Sequence, residues 1–160
     1  MTDNLQLISA KDVADYFIWK SNNSTPPKSI TNKKLQKLIY YSQAWYLVLK
    51  SSSLFPEKIE AWVHGPVVRE VYFNFRLFNS NPIVKDVSKD LIDKIPSKIK
   101  EFLDNVWSVY GKFDSGYLEA LTHSETPWLA AREGLDVDEI SENEISIDSI
   151  KKYYSAKLNK

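Results

Sequence analysis

The chain has 160 residues, of which 43% are hydrophobic and 26% charged, with 21 Lys+Arg against 21 Asp+Glu and no cysteine. That length suits one domain, 1–160, able to bury a sizeable core, and zero net charge argues against a nonspecific nucleic-acid binder, which needs a basic field. Disulfides and thiol catalysis are excluded. No run approaches ~18 uninterrupted apolar residues, and the start "MTDNLQLISAKD" has neither a basic n-region nor an apolar h-region, so a cytoplasmic protein is expected.

The charge is unevenly spread. Residues 1–80 carry 10 basic and 6 acidic side chains, and residues 81–160 carry 11 and 15. Six lysines and no acid lie between Lys20 and Lys50, and seven acids and no base between Glu133 and Asp148. Runs of this kind are as a rule solvated faces. They can also pair within the fold or steer a charged partner.

In chain order, "SAKDVADYFIWK" opens a first helix, with Ser9 and Asp12 spaced for a capping box and Val13 and Phe17 on one face. The Asn, Ser and Pro residues of 21–29 make a loop. The strongest helix is 31–50, capped by Thr31 or Asn32. Leu35, Leu38, Ile39, Ser42, Trp45, Tyr46 and Leu49 form its stripe, and Tyr40, Tyr41 and Val48 extend the apolar surface almost all round, so the helix belongs at the centre. "KIEAWV" alternates Ile59, Ala61 and Val63 against Glu60, Trp62 and His64, the period of a short strand. Gly65-Pro66 then reads as an elbow, with Pro66 as the first residue of a helix whose stripe is Val68, Val71, Tyr72 and Phe75. Residues 79–82 end it. A helical turn over 88–95 stops at Pro96. Further helices cover 97–111 (Ile99, Phe102, Leu103, Val106 and Tyr110 inward, Gly111 beyond its end), 114–123 with Asp114 as cap, 126–134 with Thr126 as cap, and 145–158 with Ile150, Tyr154 and Leu158 on one face. The fold class is mainly α: a helical bundle with a short β element near 58–64.

Few residues suggest chemistry. With two histidines, His64 and His123, and no cysteine, a metal centre lacks ligands. "HSE" at 123–125 shares H-x-E with zinc deaminases but lacks their P-C-x-x-C half. His123 and Glu125 can form an acid/base pair, yet no G-x-S-x-G elbow singles out a nucleophile and no phosphate-cradling loop exists. Neither metal nor cofactor is expected. Lys33, Lys34 and Lys37 read as solubilising a largely buried helix, in the absence of a nucleic-acid-binding motif. Trp62 and His64 alternate away from the core side of their strand and so face a partner or a covering element; Trp is a common interface anchor. A structural reading stands beside it. Glu125 can accept N–H groups at the start of the 126–134 helix, His123 can donate to a nearby carbonyl, and His64 can fix the elbow.

"NKKLQKLIYYSQAWYL" (32–47), "IEAWVHGPVVREVY" (59–72) and "LTHSETPWLAAREG" (121–134), in that order, resemble the Panacea domain, the SocA-like, phage-associated family of the GepA type. The family's usual forms are near "KLQKLLYYAQAW", "AWxxGPV" and "[ST]HxExPW", from which Ile39 and Ser42 are mild departures. The resemblance implies an antitoxin that neutralises a toxin partner by direct association. An adaptor that delivers its partner to a AAA+ protease is the alternative, with an unrecognised His/Glu enzyme behind both. By motif, Trp62, Gly65, Pro66 and Val67 match the second block, and His123, Glu125, Pro127 and Trp128 the third. The resemblance assigns no catalytic residue.

Overall fold

A computed structural model describes residues 8–159. Among them the element order is α1 (Ala10–Asn22), α2 (Asn32–Lys50), β1 (Glu60–Trp62), β2 (Gly65–Val67), α3 (Arg69–Phe75) continued by a 3-10 turn (Arg76–Phe78), α4 (Lys89–Asp93), α5 (Ser97–Tyr110), α6 (Ser115–His123), α7 (Thr126–Ala131) and α8 (Ile147–Leu158). The architecture is mainly α, as the periodicity predicts. The expected local signals operate. Ser9 Oγ accepts from the Asp12 amide at 3.1 Å while the Asp12 carboxylate accepts from the Ser9 amide at 2.9 Å, closing a capping box. Thr31 and Asp114 cap α2 and α6. In α7 the cap position is Glu125, one residue before the expected Thr126.

Helix α2 lies at the centre and touches α1, α3, α5, α6, α8 and β2. Leu35, Leu38, Ile39, Tyr40, Tyr41, Ala44 and Leu47 are all buried in one hydrophobic cluster with residues of nearly every other element. Leu49 and Leu158, placed on inward stripes by their spacing, are instead half exposed. Each sits in the last turn of its helix, where the stripe runs out of neighbours.

Central burial leaves α2 with polar side chains inside the protein, and each has to find a partner there. They find backbone. Gln43 accepts from the Leu54 amide at 2.7 Å and donates to the Phe55 carbonyl at 2.9 Å, which ties the irregular 51–58 segment to the helix. Gln36 accepts from the Val68 amide at 3.0 Å and donates to Asn32 at 3.0 Å. Asn32 in turn donates to the Tyr72 carbonyl at 3.1 Å, so this pair holds the start of α3.

The region 58–68 differs from the elbow expected of it. β1 and β2 form an antiparallel hairpin, with Glu60 opposite Val67, Ala61 opposite Pro66 and Trp62 opposite Gly65. Val63 and His64 make the turn, so Val63 is half-buried there instead of following Ile59 and Ala61 into the core. Gly65, at φ 115°, takes the left-handed backbone that reverses the chain. Pro66 sits in a strand, and α3 begins three residues later. The amide of Ala61, opposite it, donates away from Pro66 to the Asn143 carbonyl at 2.8 Å. The missing N–H of Pro66 therefore removes no bond to its facing residue. Residues 143–145 line the outer edge of β1, with Ile145 N donating to Ile59 O at 2.8 Å. That edge pairing delays α8 to Ile147 instead of 145.

Replacing Gln43 by Leu removes both clips while filling the same space. The substitution is expected to cost about 3 kcal/mol, because it strands a buried amide and a buried carbonyl, measured as a lower urea midpoint at unchanged slope.

Candidate functional site

The hairpin is clamped from two sides by side chains of distant elements. From α7, Trp128 Nε1 donates to the Trp62 carbonyl at 2.8 Å. Just beyond α7, Arg132 Nη1 donates to the Ala61 carbonyl at 2.9 Å. Arg132 also donates to the carbonyls of Asp136 and Glu139 and lies over the Trp128 ring, so one buried guanidinium ties α7, the hairpin and the acidic 133–142 segment together. From α2, the Lys37 ammonium approaches the Pro66 carbonyl at 3.4 Å. Gly65 leaves room for it: a Cβ there would stand 2.4 Å from Lys37 Cε and 3.0 Å from Thr122 Oγ1.

Lys37 does not solubilise its helix, contrary to the sequence expectation. It is 1% exposed, and no carboxylate among the described residues forms an ion pair with it. Burial pushes its ammonium down to about 7; the Glu119 charge partly offsets this, and Lys33 adds to it. Lys33 pairs with Glu119, and Lys34 donates to the Gly111 carbonyl at 2.6 Å, with burial lowering its pKa. Lys20 pairs with Asp104 at 3.0 Å. In the acidic run, Glu142 meets Arg69 at 2.8 Å and Glu144 meets Lys58 at 3.9 Å. Lys20, Lys33, Glu142 and Glu144 thus find partners outside the opposite run, and the two charge runs form no ion pair with each other among the described residues.

The sequence-predicted site residues fall into separate environments. Glu125 is 4% exposed. Its side chain makes no capping bond to α7, contrary to the structural reading. It turns inward, and one oxygen accepts from both the Tyr41 and Tyr154 hydroxyls at 2.7 Å. Burial raises its pKa, and those two hydroxyls pull it back. Tyr40 joins at 3.1 Å from the Tyr154 hydroxyl, and Tyr110 stacks on Tyr41 at 4.1 Å. His123 stacks flat on Trp128 at 3.9 Å. Its buried Nε2 has no hydrogen-bond partner where a donor to a carbonyl was expected, and burial lowers its pKa. No hydrogen bond joins His123 to Glu125, so the geometry assembles no acid/base pair. Pro127 is buried in the first turn of α7.

His64 is exposed at the hairpin turn, and its Nδ1 lies 3.0 Å from a Glu119 oxygen. Burial of Glu119 works toward a higher pKa, but Lys33 and His64 outweigh it and hold the carboxyl below its ordinary value. Trp62 is half-buried: its indole donates to Glu60 at 2.8 Å and packs edge-on to Tyr72 at 4.9 Å and Phe73 at 6.5 Å. The covering element foreseen for Trp62 is therefore α3, and the cover is partial. A cavity of about 490 Å³ opens between α2, the hairpin, the 79–80 turn and residues 140–142. Val67, the last of the site residues expected from the second block, lines it together with Trp62, His64 and Lys37.

The SocA-like Panacea antitoxin domain model matches residues 35–129. The chain belongs to this family. Antitoxin SocA of Caulobacter vibrioides (strain NA1000 / CB15N) is 30% identical over 141 residues, covering 80% of this chain and 72% of the relative. No solved structure matches. The three blocks that carry the resemblance meet at the hairpin: Gln36 and Lys37 from the first, the strands from the second, Thr122, Trp128 and Arg132 from the third. Sequence reading missed Lys37, Arg132 and the tyrosine ring around Glu125. Their only signal is polar or ionisable residues on segments whose neighbours are nearly all apolar.

Lys37→Met provides a pH-resolved test. An ammonium whose folded-state pKa lies below its unfolded value makes the native chain bind fewer protons than the unfolded one between about pH 7 and the ordinary lysine range. Its destabilisation is full below pH 7 and fades as the pH rises above it. The variant is expected to be more stable than wild type at pH 6, and the gain is expected to shrink by pH 9, in paired urea titrations. A gain independent of pH contradicts the buried-ammonium account.

Proposed function

We propose that this chain is a cytoplasmic antitoxin, a single-domain binding module that neutralises a cognate toxin by direct association and makes or breaks no bond itself. The observation that carries the reading is an apolar, partly exposed rim beside the family-matched hairpin, contributed by α3 and by the segment at 140. Phe73 is 44% and Ile140 88% exposed; Phe73 packs beside half-buried Trp62, and Ile140 stands at the cavity mouth. Half-buried Trp62 on a multiply clamped hairpin, ringed by these exposed apolar side chains, suits a protein-binding anchor, since aromatic residues of this kind dominate hot spots. The antitoxin name of the 30%-identical relative supports the same role. The contact face comprises Trp62 and His64 with Phe73 and Ile140 at its rim and Val67 inside the cavity, and Gly65, Pro66, Pro127 and Trp128 hold the hairpin in place. Glu125 and His123 act from the interior, as the polar centre and stacked wall of the α6–α7 joint.

Co-expression and pull-down with the product of the adjacent reading frame test this. Wild type is expected to restore growth and to co-purify with the toxin. Phe73→Glu is expected to weaken capture at least tenfold with little change in melting temperature, because the side chain is half exposed. Independent folding without association or growth rescue rejects the reading for that toxin. Toxin levels measured in the same cells separate sequestration, where the toxin persists, from delivery to a AAA+ protease, where it turns over faster. His123→Ala is expected to lower stability through the lost stacking on Trp128 while leaving capture in place. A measured turnover abolished by this variant with the fold intact overturns the non-enzymatic reading.

A further inference from the structure

The cavity beside the hairpin joins two features that seldom occur together. Its walls include Trp62, Val67, Tyr72 and Ile140, while Lys37 also lines it. Pockets of roughly 300–1,000 Å³ with apolar walls and a few placed polar groups are built to hold a ligand or an anchor side chain, and about 490 Å³ falls in that range. Lys37 is a three-donor ammonium, 1% exposed, whose contact is one long approach to the Pro66 carbonyl at 3.4 Å. A buried cation without a counter-charge is costly, and an anion brought to it relieves the cost. The nearby carboxylate, Glu119, is already engaged by Lys33 and His64. Glu142 at the mouth is engaged by Arg69.

We propose that this pocket is an anchor site for a carboxylate carried next to an apolar side chain on the protein partner, the acid meeting Lys37 and the apolar group filling the Trp62–Val67–Ile140 wall. The inference rests on the partner-binding reading above and deepens it. A protein segment is favoured over a free small acid because the apolar surface extends beyond the pocket. Ile140 at the mouth and Phe73 behind Trp62 remain exposed, and an occupant confined to the cavity leaves Phe73 uncovered.

Protonation of Lys37 accompanies binding of the acid. The charged groups around it are Lys33 on its own helix, Glu119 and His123 on α6, His64 on the hairpin, and Arg69 and Glu142 at the rim. Affinity therefore falls as the pH rises from 6 to 8. His64 faces the same pocket, and repeating the titration with His64→Ala isolates the contribution of Lys37.

The test uses the full chain and three probes: acetyl-Leu-Glu-Phe-amide, its Gln counterpart, and acetyl-Leu-Phe with a free C-terminal carboxylate. Binding is followed by tryptophan fluorescence and calorimetry. The Glu peptide is expected to bind on the order of tenfold or more tighter than the Gln peptide, the difference between a charged and a neutral hydrogen-bond acceptor. The preference is expected to weaken at pH 8 and to vanish in Lys37→Met. A stronger response to the free C-terminus assigns the carboxylate to a chain end, and a stronger response to Glu assigns it to a side chain. Ile140→Asp, a substitution at an exposed position, places a repelling charge at the mouth and is expected to weaken the acid peptides even if Lys37→Met does not fold. Equal affinity for Glu and Gln peptides, no binding at millimolar concentration, or an acid preference that survives in Lys37→Met overturns the proposal. The toxin arm separates the two levels. Equal toxin capture by wild type, Lys37→Met and Ile140→Asp removes the pocket and keeps the partner reading. An acid preference through Lys37 with no toxin captured keeps the pocket and removes that reading.

Discussion

Burying α2 on every side imposes one requirement that organises the rest of the structure. A helix surrounded by other elements satisfies its own backbone, but its polar side chains lose water and have to be paired inside. Asn32, Gln36 and Gln43 meet that requirement by binding the backbone of the 51–58 segment and of the first turns of α3. Lys37 meets it only in part. The irregular 51–58 segment and the joint between β2 and α3 are thus shaped by the centre of the protein, and the hairpin inherits its position from the same helix.

This explains which parts of the fold could be read from the sequence. Helices announce themselves through spacing and caps, and Ser9–Asp12, Thr31 and Asp114 act as their residue types dictate. The hairpin was half legible. The alternation through Ile59 and Ala61 is real, but Gly-Pro carries two meanings. Pro suits the first turn of a helix, and it equally suits a strand position whose amide needs no partner. The choice was made by residues 143–145, which take up the outward bonds of β1 from some 80 positions away. No local window contains that information.

The candidate site shows the same division. The hairpin turn and the α6–α7 joint were picked out by composition, and Trp62 and Trp128 do meet there. The separation of His123 from Glu125 was not legible, because the last residue of α6 and the cap of α7 point in different directions: one stacks on Trp128 and the other enters the tyrosine ring. The lysines of α2 misled for a related reason. A charged residue on a helix that is apolar nearly all round has little solvated face to occupy, and of the three lysines in its first half only Lys33 and Lys34 keep part of one. Lys33, Lys34 and Lys37, within a span of five positions, end in an ion pair, a carbonyl contact and full burial respectively.

Convergence on the hairpin also bears on what its motif residues do. Gly65 is required by a close approach and a left-handed backbone, Trp128 by a carbonyl it caps, and Glu125 by two hydroxyls at a distance from the surface. These are supports. Trp62 and His64 differ, since the clamps on β1 and β2 act through backbone carbonyls and leave both side chains at the surface, one half-buried and one exposed. A hairpin fixed through its backbone presents its turn without having to order it on contact, which lowers the entropic cost of association. Under the proposed partner-binding role, the three sequence blocks specify a rigid platform, and the rim residues, Phe73 and Ile140 among them, are the ones left to set which surface it fits.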